Sequence, residues 1–147
     1  MTVYKHTQPG YLTGGTLSAG AVVAYLSVQA EGGGVGWLGG LLTAGLALGA
    51  VLFSSLTVQV DAHELQFYFG PGFWKRRIPI SDIRSVEVVR NAAYYGWGIR
   101  YTVHGWLYNV SGLQAVELDV KEEGTIRVGT DEPEALKQAL EQARQMA

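Results

Sequence analysis

Charge is distributed so unevenly along this chain that it must be built from two materials. Of eleven basic and thirteen acidic side chains, all but Lys5 and Glu31 lie beyond residue 56. A water-soluble domain does not ordinarily leave a third of its chain so bare. Within that third, Leu12 to Ala30 (LTGGTLSAGAVVAYLSVQA) and Val35 to Leu56 (VGWLGGLLTAGLALGAVLFSSL) carry no charge at all. A helix rises about 1.5 Å per residue, so roughly 20 residues cross a hydrocarbon core of about 30 Å. Both runs have that length, and EGGG (Glu31 to Gly34) between them makes a short turn. The expectation is an anchor over residues 1–56 with two spans, about 12–30 and 35–56. The second is the more convincing span, because Thr13, Thr16, Ser18, Ser27 and Gln29 dilute the first.

Glycine disfavours helix in water. In lipid the backbone must satisfy its own hydrogen bonds, and small residues let helices approach. Gly36, Gly40 and Ala44 recur every four residues on one face. That stripe fits either a homo-oligomer contact or packing against the other arm of the hairpin. Three competing readings of the region are a signal peptide cleaved after Val28-Gln29-Ala30, a hairpin buried in a soluble protein, and an amphipathic attachment, which the lack of a polar face in either run disfavours. Lys5 precedes the first run, the turn has no Lys or Arg, and Lys75, Arg76 and Arg77 follow the second. By the positive-inside rule both termini are then cytoplasmic.

From residue 57 the pattern changes to alternation. Val58 and Val60 share one face, as do Leu65, Phe67 and Phe69. Further alternating runs hold Ile78 and Ile80, Val86 and Val88, Ile99 with Tyr101 and Val103, Val116 with Leu118 and Val120, and Ile126 with Val128. That makes about seven short strands separated by turn residues, the pattern of a sandwich or small barrel. The last segment, TDEPEALKQALEQARQMA, places Asp131 and Glu134 in capping-box spacing and Pro133 in a first turn. Leu136, Ala139, Leu140, Ala143 and Ala147 then follow at helical spacing, predicting a helix over about 132–146 whose apolar stripe covers the β structure. The expected division is an anchor at 1–56 and a mainly-β domain at 57–147.

Seven strands capped by one helix suit a pleckstrin-homology-like (PH-like) barrel. The words FWKRRIPISDIRSVEV, YYGWGIRY, YNVSGLQAVELDV and IRVGTDEPEAL resemble a group of bacterial membrane-anchored PH-like proteins of uncharacterised function. The resemblance covers roughly residues 57–146, and GWGIR and GTDEP are its most specific words. It implies a non-catalytic interaction or scaffolding module on the cytoplasmic face of a bacterial inner membrane. It leaves open a sensor of anionic lipid head groups or an accessory subunit of a membrane transport or enzyme complex.

The candidate sites are few. Phe73, Trp74, Lys75, Arg76 and Arg77 hold the only basic run and could lie on an anionic membrane surface. Trp97, Arg100 and Tyr101 could form a face for a protein partner; the plainer reading ties Arg100 to Glu117 or Asp119 on a neighbouring strand. AYYGWGIRYTVHGWLYNVSG (93–112) reads as two adjoining strands with a turn at His104-Gly105, and Gly96 and Gly98 permit a bend that re-aims Trp97. His6, His63 and His104 form no ligand spacing, and Asp119, Glu122 and Glu123 look like a solvated turn. There is no cysteine, nucleotide-binding glycine motif or nucleophile motif, so neither cofactor, metal nor catalysis is expected. A net charge of −2 gives no reason to expect nucleic acid.

Overall fold

The computed structural model describes residues 2–30, 32 and 36–147. Among these lie nine strands in two sheets and three α-helices. The chain starts with β1 (Thr2–Pro9), then runs through helices α1 (Tyr11–Ala30) and α2 (Gly36–Leu52) before β2 (Ser55–Asp61). β3 (Glu64–Phe69) and β4 (Lys75–Pro79) complete a four-stranded antiparallel sheet in the order β1-β2-β3-β4. After a 3₁₀ turn (Ile80–Asp82) come β5 (Ile83–Arg90), β6 (Gly98–Thr102), β7 (Gly105–Asn109), β8 (Gln114–Val120) and β9 (Gly124–Gly129). They form a second sheet in the order β5-β8-β9-β7-β6, in which β7 and β9 run parallel. Helix α3 (Pro133–Met146) closes the chain.

This corrects the expected barrel of seven antiparallel strands. The sheets remain open, and their inner faces pack on each other in a sandwich. Phe67, Phe69, Leu65 and Ile78 from the first sheet meet Leu118, Ile126 and Val128 from the second, all essentially inaccessible to water. α3 packs on β5, β8, β1 and β2, burying Leu136, Ala139, Leu140 and Ala143 along one corner. Its span agrees with the expectation, but its start differs. Asp131 takes His6 (2.6 Å) instead of capping the helix, and Ala147 is exposed. At the other corner, side chains take the place of strand pairing. Trp74 stacks on Tyr108 with ring centroids 5.3 Å apart, and Arg76 donates to the Tyr108 hydroxyl at 3.0 Å.

The largest difference from the sequence reading is at the start of the chain. Thr2–Pro9 is not a leader to the first helix but an edge strand, paired with β2 from Thr2↔Asp61 to Pro9↔Ser55. The helical hairpin is therefore an insertion into a β1–β2 connection. Gly10 N–H donates to the Ser54 carbonyl at 2.7 Å, so both arms of the hairpin spring from one point. Cleavage after Ala30 would take β1 out of the sheet. α1 is long and apolar enough to cross a membrane; α2, with 17 residues and its end at Leu52, is shorter than the span expected to reach residue 56. Val35 and all of the EGGG turn except Gly32 lie outside the described residues. Neither helix carries a charge or a polar face, and both are exposed, with Val23, Tyr25 and Leu26 on α1 and Trp37, Leu41 and Leu48 on α2 facing outward. A hairpin buried in a soluble core would hide these residues.

β1 is also held from its far side. The Tyr4 hydroxyl donates to Glu132 at 3.0 Å, beside the His6–Asp131 contact. Burial, then the bond to Glu132 and the carboxylates of Glu132 and Asp131, push the Tyr4 phenol well above its usual range. The raised folded-state value means that the neutral phenol stabilises the fold. That contribution is complete below the unfolded value of about 10 and is lost as pH rises beyond it. Alkali above about pH 10 is therefore expected to loosen β1 from α3. Tyr4→Phe should flatten this alkaline loss of stability, as read from denaturation midpoints across pH.

Candidate functional site

Two regions concentrate what the sequence singled out: the foot of the helical hairpin and the β6–β7 edge. The foot is assembled by close backbone contacts. Gly70, at φ +49°, sits where a Cβ would overlap the Leu52 carbonyl and lie 2.9 Å from that of Val51. Gly10 abuts Phe53 in the same way, and on the other side Thr13 bonds to the Val110 carbonyl through its N–H (3.2 Å) and hydroxyl (2.6 Å). Gln8 donates to the Ser111 carbonyl at 3.0 Å, and Ser111 returns a bond to Pro9 at 2.9 Å. The β3–β4 turn and the segments 96–100 and 110–112 thus ring the base of α1 and α2.

The basic run divides at this base. Phe73 is half exposed and meets Phe53 edge-on at 5.9 Å. Trp74, expected on the surface, is instead packed against Phe67, Phe69 and Tyr108. Arg76 turns to Glu123 and Tyr108, and Arg77 lies 3.8 Å from Glu64. Lys75 forms no ion pair among the described residues and lies over the Tyr68 ring at 5.3 Å. Strand alternation sends neighbours to opposite faces, so the three charges do not converge. Burial pushes the Tyr108 phenol up, and the Arg76 guanidinium beside it opposes that shift.

Trp97, Arg100 and Tyr101 do not form one face. The Trp97 indole N–H donates to the Gly112 carbonyl at 3.0 Å, which fixes the ring beside the hairpin foot. Arg100 folds back to donate its Nε to the Trp97 carbonyl at 2.9 Å, over Gly96. The expected tie of Arg100 to Glu117 or Asp119 does not form, because β9 and β7 lie between β8 and β6, and Glu117 pairs with Arg127 at 2.6 Å. Arg127 in turn donates to Asn91, so the 91–97 segment covers this outer face of the second sheet. Gly96 and Gly98 have φ of +70° and +98°, the bend expected of them. Tyr101 points the other way and meets Trp106 edge-on at 5.3 Å. With Val103, 86% exposed, and Tyr94, 85% exposed, these rings leave a bare apolar patch on β6, the edge strand of its sheet. Trp106, Val103 and Tyr94 had no part in the sequence reading of the site. The clue available was aromatic density in 93–112.

Gly36, Gly40 and Ala44 face away from α1. A Cβ at Gly36 or Gly40 meets nothing within 4 Å, whereas α1 packs on Gly39 through Val28 and on Gly49 through Leu17. Among the described residues no cluster of His, Asp and Glu is arranged to hold a metal ion. Compared with family models and with curated proteins, the chain matches none.

Proposed function

We propose that the protein is a membrane-tethered interaction module without catalytic activity, placed on the cytoplasmic face of a bacterial inner membrane. The observation that carries this reading is the exposed, uncharged and mainly apolar hairpin that leaves the β sandwich and returns to the same point. A helix with no polar face suits lipid on every side. Because the two arms start together, a hairpin that enters a bilayer leaves Tyr11 and Phe53 at one surface. The 17 residues of α2 reach about 26 Å, close to a hydrocarbon thickness of about 30 Å. The sandwich then rests on that surface by its hairpin foot, with Phe73 and Lys75 beside the bilayer. One unpaired lysine contributes about 1 kcal/mol near anionic lipid, so Lys75 alone is a weaker basis for lipid sensing than a converging basic cluster.

The β6–β7 edge supplies the protein-binding surface. An exposed edge strand carries unpaired backbone groups, and its flanking Tyr94, Tyr101, Val103 and Trp106 supply apolar anchors. Tyr94, Tyr101 and Val103 border a groove of about 690 Å³ along β6. A photo-crosslinking residue at Val103 in the full chain, activated in native membranes, is expected to give a discrete adduct. The same probe at Lys121, in the β8–β9 turn, should give none. Diffuse background from both positions would rule out this surface, and release of the chain from membranes by alkaline carbonate would rule out the tether.

A further inference from the structure

At the hairpin foot a cleft of about 530 Å³ lies between α1 and the 96–100 segment. Its wall on the hairpin side is Thr13, Thr16, Leu17 and Phe53, and Trp97 and Ile99 close it from the sandwich. At its mouth stands Arg100. This guanidinium spends only Nε on the Trp97 carbonyl and makes no ion pair among the described residues, unlike Arg76, Arg77 and Arg127. Gly98 keeps the space beside it open, since a Cβ there meets nothing within 4 Å. The indole of Trp97 is held in place by its bond to Gly112.

We infer that this cleft binds one anionic glycerophospholipid, with its phosphate on Arg100 and an acyl chain along Leu17 and Phe53. The inference rests on the membrane tether proposed above. Three features select this occupant. The cleft opens onto the first turns of α1, where the apolar surface of the hairpin begins. Its lining changes from apolar to cationic over one side chain, as a phospholipid does at its glycerol. The planar guanidinium matches two phosphate oxygens at once, with donors that the Trp97 carbonyl leaves free. A partner carboxylate would suit Arg100 but would leave the apolar half of the cleft unfilled.

Native mass spectrometry of the full-length protein, delipidated in detergent and titrated with phosphatidylglycerol or phosphatidylcholine, tests this. One phosphatidylglycerol is expected to bind in preference to phosphatidylcholine, and Arg100→Gln should weaken it about fivefold, the effect of one cation near a lipid phosphate. Thr16→Trp, which fills the cleft from an exposed position on α1, should weaken binding of both lipids and leave the far-ultraviolet circular dichroism unchanged. Excess inorganic phosphate should leave the lipid bound, because it lacks the chains. Equal binding of the two lipids, indifference to Arg100→Gln, or displacement by phosphate would overturn the site. The tether is judged separately: a chain that resists alkaline carbonate extraction but shows no preference for phosphatidylglycerol loses only the lipid site.

Discussion

Deleting residues 11–53, so that Gly10 runs directly into Ser54, is expected to leave a folded domain that stays in solution without detergent. Starting the chain at residue 57 is expected to leave none. In the first variant β1 and β2 keep their register, with Pro9 opposite Ser55 and Gly10-Ser54 as a two-residue loop. Gly followed by a small polar residue is the composition of a type II′ hairpin turn. The exposed apolar surface of both helices disappears, and the buried core cluster, which takes no residue from this segment, loses only the packing of the partly buried Phe53. The second variant removes Leu56, fully buried and worth about 1.5–3 kcal/mol, along with the packing of Val3 and Tyr4. It also takes the ladder of β1 off β2 and the Tyr4 and His6 contacts off the start of α3. Against a total stability of about 5–15 kcal/mol, losses of that size remove the native state. Size-exclusion elution and a cooperative thermal transition distinguish the two variants.

Gly70→Val is expected to lower the melting temperature of the full chain in detergent by roughly 10 °C, for a loss of about 3 kcal/mol. A β-branched residue is strained at φ +49°, and its Cβ would collide with the Leu52 carbonyl, which is backbone and has no rotamer to move away. Gly45→Ala serves as the comparison. That glycine lies in α2 with open space where its Cβ would go, and alanine favours helix, so stability should hold or rise slightly. Similar losses in both variants would mean that Gly70 is not a point of contact between the hairpin and the sandwich.

The parts of this fold that were legible in the sequence are those governed by local period. α3 announces itself by Pro133 and by Leu136, Ala139, Leu140 and Ala143 at helical spacing, and β3 by the alternation of Leu65, Phe67 and Phe69. β1 was illegible because TVYKHTQP buries only Gln8, as befits an edge strand with one face on solvent. β7 was legible as the second arm of the hairpin expected to turn at His104-Gly105, and not by its own alternation. Leu107, Tyr108 and Asn109 are buried in succession, between the core and the 91–97 segment, so no alternation survives. Its parallel pairing with β9 joins segments remote in sequence, which a local pattern does not encode. The open form of the sandwich depends on Trp74, Arg76 and Tyr108 filling a corner, and on Glu123 reaching Arg76 from another turn. The candidate residues that lie together in sequence are therefore parted by the fold. Alternation alone separates Arg100 from Tyr101, but only the fold carries Trp97 and Arg100 to the hairpin foot.

On the membrane tether proposed above, the insertion of the hairpin between β1 and β2 makes the bilayer a participant in folding. Pro9 and Ser55 pair across about 45 intervening residues. Closing a flexible loop of that length costs on the order of 3 kcal/mol more than closing a two-residue turn. Helices that assemble first in lipid deliver the two strands side by side, with that entropy already lost. During synthesis β1 leaves the ribosome before the hairpin and waits unpaired until β2 follows. With that tether, membrane insertion is expected to speed the pairing of β1 with β2, the strands that open the first sheet.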